Sequence, residues 1–209
     1  MTDEKRPYRK RRRAELEEAT RRRITESAVE LHGTLGPSRT SISAVAEHAG
    51  VRRSTVYRHF PDEPALFAAC SAHWGAANPN PDLARWAAIE DPDERLRSAL
   101  AELYPYYRRT RPMLENLYRD EETVPSVKAS FGRFREYLAA AGDTLMAGRR
   151  GRGRAHDRVR AAIGHALAFA TWRSLTLDEG LDDRDAAELM CRLVAVAAAR
   201  PPGGVHTLL

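Results

Sequence analysis

Apolar residues recur along this chain with the spacing of α-helices, and the alternating patterns of β-strands are scarce. In the first third, Ile24, Ala28, Leu31 and Leu35 fall on one helical face and predict a helix over about residues 14–34. After this first helix, three shorter helices are predicted over about residues 42–49, 53–59 and 62–75. The first third of the chain therefore has the pattern of a small helical domain.

The rest of the chain repeats the helical pattern in longer segments. Pro105 is predicted to end or kink the first of them near Tyr104, because proline lacks the backbone donor that a helix interior needs. The helix formers Ala, Leu, Arg and Glu dominate the composition, so we predict an all-α fold. The first segment is predicted to begin at about residue 93, and the others span about residues 113–118, 125–147, 155–178 and 182–199.

Two short helices in the first third are spaced as a helix-turn-helix. Ile42, Val45 and Ala46 share one face of the first helix, and Gly50 follows it where a left-handed turn residue is favoured. Val56 is predicted to face inward from the second helix. Such a pair places its second helix in the major groove of DNA.

The outward face of the second helix carries hydrogen-bond donors and no acid. Arginine donates two bonds to a guanine edge, and serine and threonine bond several bases. Tyrosine and protonated histidine suit phosphate oxygens. We interpret the face as a DNA-reading surface, with a solvated basic face on an ordinary helical hairpin as the alternative. The predicted DNA-binding residues are Thr40, Ser41, Arg52, Arg53, Ser54, Thr55, Tyr57, Arg58 and His59.

Residues 20–75 resemble the TetR family of bacterial transcriptional regulators. The resemblance rests on Thr40-Ser41, Val45-Ala46, Ala49-Gly50-Val51 and the run TVYRHF at residues 55–60. It implies an N-terminal three-helix DNA-binding domain with a helix-turn-helix, followed by a C-terminal α-helical domain for ligand binding and dimerisation. Beyond residue 75 only the helical layout and the length are similar.

Two positions depart from the family pattern. Arg52 stands where the family often has a helix-capping serine, so the cap is expected to be weaker or to come from elsewhere. Glu63 stands where many members carry a phosphate-binding lysine, so the resemblance implies that this contact is lost. Asp62 remains a good N-cap for the helix that follows.

Charge is concentrated at the N-terminal end. Residues 1–60 contain 14 Lys or Arg and 8 Asp or Glu, a net charge of +6, whereas the remainder contains 20 and 21, a net charge of −1. This balance favours nucleic acid as a partner for one end of the protein. We predict a disordered basic arm (1–13), a DNA-binding domain (14–61), a connecting helix (62–77), a regulatory and dimerisation domain (78–200) and a flexible tail (201–209). The arm either contacts DNA or only aids solubility.

The C-terminal part supplies aromatic walls for a small, largely apolar effector, although ordinary core packing is the alternative for each residue. The pocket candidates are Trp86, Tyr104, Tyr107, Met113, Tyr118, Phe131, Phe134, Tyr137 and Trp172. The last helix is apolar almost all round, which favours a partner subunit as its cover. The resemblance implies a four-helix bundle formed by the last two long helices of two copies. The interface candidates are Leu189, Met190, Leu193, Val194, Val196 and Ala197.

No residue pattern indicates an enzyme. The seven histidines are scattered, and no glycine loop for phosphates follows a strand, so we predict no catalytic site, metal or cofactor. Cys70 and Cys191 lie in apolar patterns and are predicted to be buried, reduced thiols, with redox sensing as the alternative. No signal peptide or membrane span is predicted, so a cytoplasmic protein is expected.

The sequence therefore predicts a homodimeric transcriptional repressor that a small apolar ligand releases from a palindromic operator in double-stranded DNA. One alternative is a constitutive DNA-binding protein or activator whose body serves only dimerisation. A helical enzyme or binding protein whose head does not read DNA is the other.

Overall fold

The computed structural model describes residues 5–199, with side chains from Tyr8 onward. Within that range every regular element is helical, which confirms the predicted all-α fold. A 3-10 turn at Pro37–Arg39 and a π-helical stretch at Ser174–Asp178 complete the elements. The helices are α1 (Lys5–Thr34), α2 (Ile42–His48), α3 (Arg53–His59), α4 (Glu63–Ala77), α5 (Leu83–Ala87), α6 (Pro92–Asp120), α7 (Pro125–Met146), α8 (Arg154–Leu167), α9 (Phe169–Arg173) and α10 (Asp183–Ala198).

The chain forms two compact units. The N-terminal unit comprises the residues up to Pro79 together with Arg111–Gly132, and the C-terminal unit comprises Asn80–Thr110 and the residues from Arg133 onward. The last turns of α6 and the first turns of α7 thus group with α1–α4. The regulatory domain that we predicted over residues 78–200 is divided between the two units, and the predicted tail lies outside the described residues.

Helix α1 begins nine residues earlier than the sequence predicted. Residues 5–13, predicted as part of a disordered arm, are helical, and residues 1–4 lie outside the described range. Two ion pairs one turn apart support this extension, from Arg11 to Glu15 at 3.2 Å and from Arg13 to Glu17 at 3.1 Å. Such i, i+4 pairs stabilise an exposed helix in the absence of an apolar face.

The core of the N-terminal unit gathers the apolar faces of α1–α4. Ile24 and Ala28 of α1 are fully buried, as is Val56 of α3, and Leu66 and Cys70 of α4 complete the cluster. Leu35, which we assigned to the buried stripe of α1, is 44% exposed because the helix ends at Thr34.

His32 in the last turn of α1 is a buried base. Its ring lies 5.4 Å from the ring of Phe67, and burial lowers its pKa to about 4, against a smaller opposing effect of Asp120. The unfolded chain, with a histidine pKa of about 6.5, therefore binds a proton that the folded protein rejects.

Acidification from pH 7 to pH 5 is expected to lower the free energy of unfolding by about 2 kcal/mol through His32 alone. The stability that neutral His32 contributes is intact above about pH 6.5. It is lost progressively down to about pH 4, because a proton binds His32 more strongly in the unfolded chain. Urea unfolding at each pH measures it, with His32→Phe as the control that removes the titration. An equally steep pH dependence in His32→Phe would contradict this account.

Helix α6 runs uninterrupted through Pro105, so the helix does not end near Tyr104, and a kink is the predicted outcome that is left. Proline at position 105 removes the bond to the carbonyl of Ala101. Both residues are exposed, and water can therefore satisfy the carbonyl that proline leaves without a donor.

The single helix predicted over residues 155–178 is broken at Ala168, whose φ of −73° and ψ of 131° are extended. Two buried tyrosines of α6 bind the last carbonyls before the break. Tyr104 donates to the carbonyl of Ala166 at 3.0 Å, and Tyr107 donates to that of Leu167 at 2.6 Å. The break is stable because these carbonyls, which α8 leaves without intrahelical partners, are hydrogen-bonded.

Arg95, near the start of α6, is buried with its guanidinium among backbone carbonyls. Its Nη1 donates to Ala147 at 2.7 Å and Thr144 at 3.2 Å, which satisfies the C-terminal end of α7. Its Nε and Nη2 donate to Ile89 at 2.9 and 2.6 Å, and Nη2 also reaches Glu90 at 3.3 Å. The Arg95 side chain thus joins the end of α7 to the segment that precedes α6.

Candidate nucleic-acid interface

Helices α2 and α3 form a helix-turn-helix within the N-terminal unit. The Ser41 hydroxyl caps α2 by accepting from the amide of Ala44 at 3.1 Å. Gly50 has a φ of 63°, the left-handed conformation that reverses the chain, and the amide of Val51 then donates to Ala46 at 2.9 Å. Local sequence chemistry thus fixes the angle between the two helices.

Helix α3 presents a basic surface to solvent. Arg52, Arg53, Ser54, Tyr57 and Arg58 are exposed. Thr55 and His59, also predicted to bind DNA, are only partly exposed. Within the described residues the Arg52 side chain does not cap α3, as expected for a position where serine is frequent.

Arg53 and Tyr57 form a pair one turn apart on this surface. Arg53 Nη2 donates to the Tyr57 hydroxyl at 3.1 Å, and its guanidinium carbon lies 5.5 Å from the centre of the Tyr57 ring. A guanidinium held in one orientation loses less conformational freedom when it binds a base edge or a phosphate.

The C-terminal end of α3 is held by Arg21 of α1, which the sequence did not single out. Arg21 Nη1 donates to the carbonyl of His59 at 2.7 Å, and its guanidinium carbon lies 4.2 Å from the centre of the Phe60 ring. The two bonded residues are 38 positions apart, so no local pattern could have revealed the contact.

His59, a predicted contact to DNA, is only partly exposed at the end of α3. Burial, helped by the positive charges of Arg58 and Arg21, lowers its pKa below the usual value, so the ring is neutral at pH 7. Its Nε2 is buried, without a hydrogen-bond partner among the described residues. The contact of His59 with DNA stays a prediction.

The hydroxyls before α2 differ in what they can offer DNA. Thr40 donates its proton to the carbonyl of Gly36 at 2.8 Å, so it would have to break that bond to reach a phosphate. Ser41 accepts the capping bond and retains its own proton as a donor. At the start of α4, Asp62 caps the helix by accepting from Ala65 at 2.8 Å, and Glu63 is exposed.

The sequence model of the bacterial regulatory proteins of the tetR family matches residues 24–70 of this chain. That range runs from α1 into α4 and contains the whole helix-turn-helix. Residues 24–70 therefore have the sequence pattern of the TetR family, with α3 in the place of the recognition helix. This match supports a DNA-binding regulator.

Solved structures share the fold of this chain at low sequence identity. A TetR-like transcriptional regulator from Rhodococcus sp. RHA1 is 20% identical, with a TM-score of 0.62 over 84% of this chain and 93% of that one. A putative fatty acid metabolism regulator of Clostridium perfringens is 14% identical, with a TM-score of 0.62 over 85% and 99%. The regulator PfmR of Thermus thermophilus is 16% identical, with a TM-score of 0.58 over 85% and 99%. No curated protein sequence is significantly similar to the chain.

The predicted pocket residues fall in both units. Met113, Tyr118 and Phe131 belong to the N-terminal unit, where the rings of Tyr118 and Phe131 pack edge to face at 4.6 Å. The other candidates, which belong to the C-terminal unit, are Trp86, Tyr104, Tyr107, Phe134, Tyr137 and Trp172.

Most polar atoms of the C-terminal candidates are engaged within the fold. Besides Tyr104 and Tyr107, Tyr137 donates to the carbonyl of Pro81 at 3.0 Å, and Trp172 Nε1 donates to Asp183 at 2.8 Å. Trp86 differs, because its fully buried Nε1 has no hydrogen-bond partner among the described residues. A buried donor without an acceptor is the feature of this group that a bound ligand would satisfy.

An open groove of about 820 Å³ lies between α6 and α10 of the C-terminal unit, and none of the predicted pocket residues lines it. Its walls combine the apolar Leu96, Ala101 and Pro105 with charged residues of α10 such as Arg184 and Glu188.

The candidates for the dimer interface divide between two faces of α10. Met190 and Val194 are buried in the C-terminal unit. Leu189, Leu193 and Val196 are 43%, 41% and 72% exposed. Ala197 is partly exposed.

The cysteines have little thiolate character. Burial raises the pKa of Cys70 to about 12, and it also raises the pKa of Cys191, which is only half-buried. A raised pKa disfavours the reactive thiolate. None of the helices in residues 5–199 combines the length and the apolar character needed to cross a bilayer.

Proposed function

We propose that this TetR-family regulator is a homodimeric repressor that reads a palindromic operator and is released from it by a small, largely apolar ligand. The observation that carries the proposal is the exposed basic face of α3, with Arg53 oriented by Tyr57. One such helix reads too few base pairs to select a site in a genome, whereas two heads related by a two-fold axis read both halves of an inverted repeat.

The exposed apolar residues of α10 support dimerisation. Leu189, Leu193 and Val196 form a stripe at helical spacing, and α8 packs beside α10. At Gly164 of α8 no described atom lies within 4 Å of the position that a Cβ would take. A second copy that packs against the stripe of α10 would remove this apolar surface from water, and the open glycine leaves room for a helix to approach α8 closely.

We propose that the effector binds in the C-terminal unit and that one of its atoms accepts a hydrogen bond from Trp86 Nε1. Burying the indole N–H of Trp86 without an acceptor costs about 1 to 3 kcal/mol of stability. A ligand carbonyl or carboxylate that accepts from this N–H would recover that free energy. The engaged hydroxyls of Tyr104, Tyr107 and Tyr137 favour the alternative, a constitutive regulator whose body only dimerises. Thermal-shift measurements with fatty acids and other apolar compounds distinguish the two, because a ligand of the native state raises Tm.

Selection of random duplex DNA by the purified protein is expected to enrich an inverted repeat with half-sites about 34–36 Å apart or a close variant. Leu193→Glu, which places a charge in the stripe, is expected to yield monomers in sedimentation and to lose the symmetric enrichment. Ala195→Glu is the matched control, because Ala195 is exposed on α10 but faces the groove. Enrichment of no sequence by the wild-type protein would refute DNA reading, and a dimeric Leu193→Glu would refute the interface.

A further inference from the structure

The connection between α1 and α2 sets where the helix-turn-helix begins. After α1 ends, the amides of Leu35 and Gly36 donate to the carbonyl of Leu31 at 2.8 and 3.2 Å. Gly36 has a φ of 97°, and the 3-10 turn at Pro37–Arg39 leads to the cap of α2 at Ser41. Any displacement of this connection would shift the start of α2, and with it the orientation of α3.

Asn116, in the last turns of α6, binds the end of α1. Its Nδ2 donates to the carbonyls of His32 and Gly33, both at 2.9 Å. These carbonyls lie in the last turn of α1, where backbone acceptors lack helical partners. Asn116 is 7% exposed, so water does not replace its amide easily.

Arg119 and Asp120 bind the connection itself. Arg119 Nη2 donates to the carbonyl of Leu35 at 2.9 Å, and Asp120 Oδ2 accepts from the amide of Ser38 at 2.9 Å. Arg119 also joins the other two residues, through Nε to Asp120 at 2.8 Å and through Nη1 to the Asn116 oxygen at 2.8 Å. Burial disfavours the Asp120 carboxylate, but the bonds from Arg119 and Ser38 outweigh it and lower the pKa, so Asp120 is ionised at pH 7.

The fit around Gly36 leaves no space for another side chain. A Cβ at this position would lie 1.9 Å from Arg119 Nη2 and 2.7 Å from Asp120 Oδ2, and the φ of 97° strains any residue other than glycine. The guanidinium and the carboxylate therefore pack directly on the backbone of the connection.

We propose that Asn116, Arg119 and Asp120 are positioning residues for DNA recognition, which hold the α1–α2 connection so that α3 stands in its DNA-reading orientation. The three residues, here called the α6 clamp, bind four backbone groups of the connection and the end of α1. None of these bonds reaches α2 or α3. The clamp therefore acts on recognition through the connection, and it rests on the DNA binding proposed above.

The central experiment compares Arg119→Met with Arg111→Met. Both substitutions remove one arginine from α6 in the same unit, and Arg111 is exposed. Arg119→Met is expected to weaken binding to the selected operator by about tenfold or more, because the connection is then free to leave the binding-competent arrangement. Binding to nonspecific duplex at the same salt is expected to stay within about twofold in both variants, since the phosphate contacts persist. Arg111→Met is expected to bind the operator like the wild type.

Hydrogen exchange separates positioning from general stability. In Arg119→Met the amides of residues 35–41 are expected to exchange faster, while those of the α2–α3 core keep their protection. Asp120→Asn provides a milder variant in case Arg119→Met does not fold. It retains an oxygen for the Ser38 amide and loses the ionic bond to Arg119, so a smaller drop in operator affinity is expected.

The outcomes are distinguishable. If the wild-type protein selects no DNA sequence, the proposed function fails. If the wild type is selective and the folded Arg119→Met and Asp120→Asn variants bind the operator equally well, only the α6 clamp is refuted. A parallel loss of operator and nonspecific affinity would also refute positioning, because it would indicate a general effect on folding or charge.

Discussion

Arg53→Ala is expected to weaken binding of the dimer to its selected operator by about 100-fold or more, with folding unchanged. A bidentate arginine contact to a base is worth about 1–3 kcal/mol, and the dimer loses it in both heads. Arg53 is exposed, and its bond within the described residues is to the Tyr57 hydroxyl, so its removal leaves the core intact. Fluorescence anisotropy with labelled operator at fixed salt measures the change.

Two variants show whether this loss comes from reading bases. Arg23→Ala removes the same charge from an exposed position of α1 and is expected to alter operator affinity only slightly. Tyr57→Phe keeps the ring but removes the hydroxyl that orients Arg53, and is expected to cause a smaller loss than Arg53→Ala. Unchanged operator affinity in Arg53→Ala would disprove the assignment of this face of α3.

Arg95→Met is expected to lower the free energy of unfolding by about 3–5 kcal/mol. Methionine fills similar space but leaves the carbonyls of Ile89, Thr144 and Ala147 without the donor that now satisfies them. Each buried polar group left without a partner costs about 1–3 kcal/mol, and partial access of water to these carbonyls limits the sum. Urea unfolding followed by circular dichroism measures the loss.

Arg97→Met is the matched control for Arg95→Met. Arg97 is exposed two residues further along α6 and pairs with Glu94 at 3.5 Å, an interaction expected to contribute less than about 1 kcal/mol. Arg95→Lys keeps the charge without the planar fork and is expected to be intermediate. A stability loss in Arg95→Met no larger than that in Arg97→Met would show that the hydrogen bonds of Arg95 do not stabilise the C-terminal unit.

The elements that the sequence predicted well are those with local causes. The helix-turn-helix follows from the spacing of Val45, Ala46 and Val56 and from a glycine at the turn, all within a short window. The exposure of most polar side chains of α3 was predictable because it follows from which residues of the helix are apolar, and their contact with DNA stays a prediction. The partial burial of His59 was not predictable in this way, and that burial, helped by the charges of Arg58 and Arg21, lowers the pKa of the ring.

The features that the sequence did not predict have distant causes. The break at Ala168 is stabilised by Tyr104 and Tyr107, about 60 residues earlier in the chain. Helix α6 tolerates Pro105 because this position faces solvent. The hydrophobic pattern alone did not indicate whether the helix would continue past the proline. The ends of helices were similarly hard to place. Residues 5–13 have no apolar period, and yet they are helical, with ion pairs from Arg11 and Arg13 to glutamates one turn further along α1.

The packing of Arg119 and Asp120 on Gly36 has a consequence for how this chain can vary in length. Surface connections usually accept extra residues at little cost. Between Thr34 and Ser41, however, one inserted residue would move the Leu35 carbonyl and the Ser38 amide out of register with α6 at the same time. Natural relatives that keep an arginine and an aspartate at the end of this helix should therefore share the loop length found here and should show no gap at these positions when their sequences are aligned.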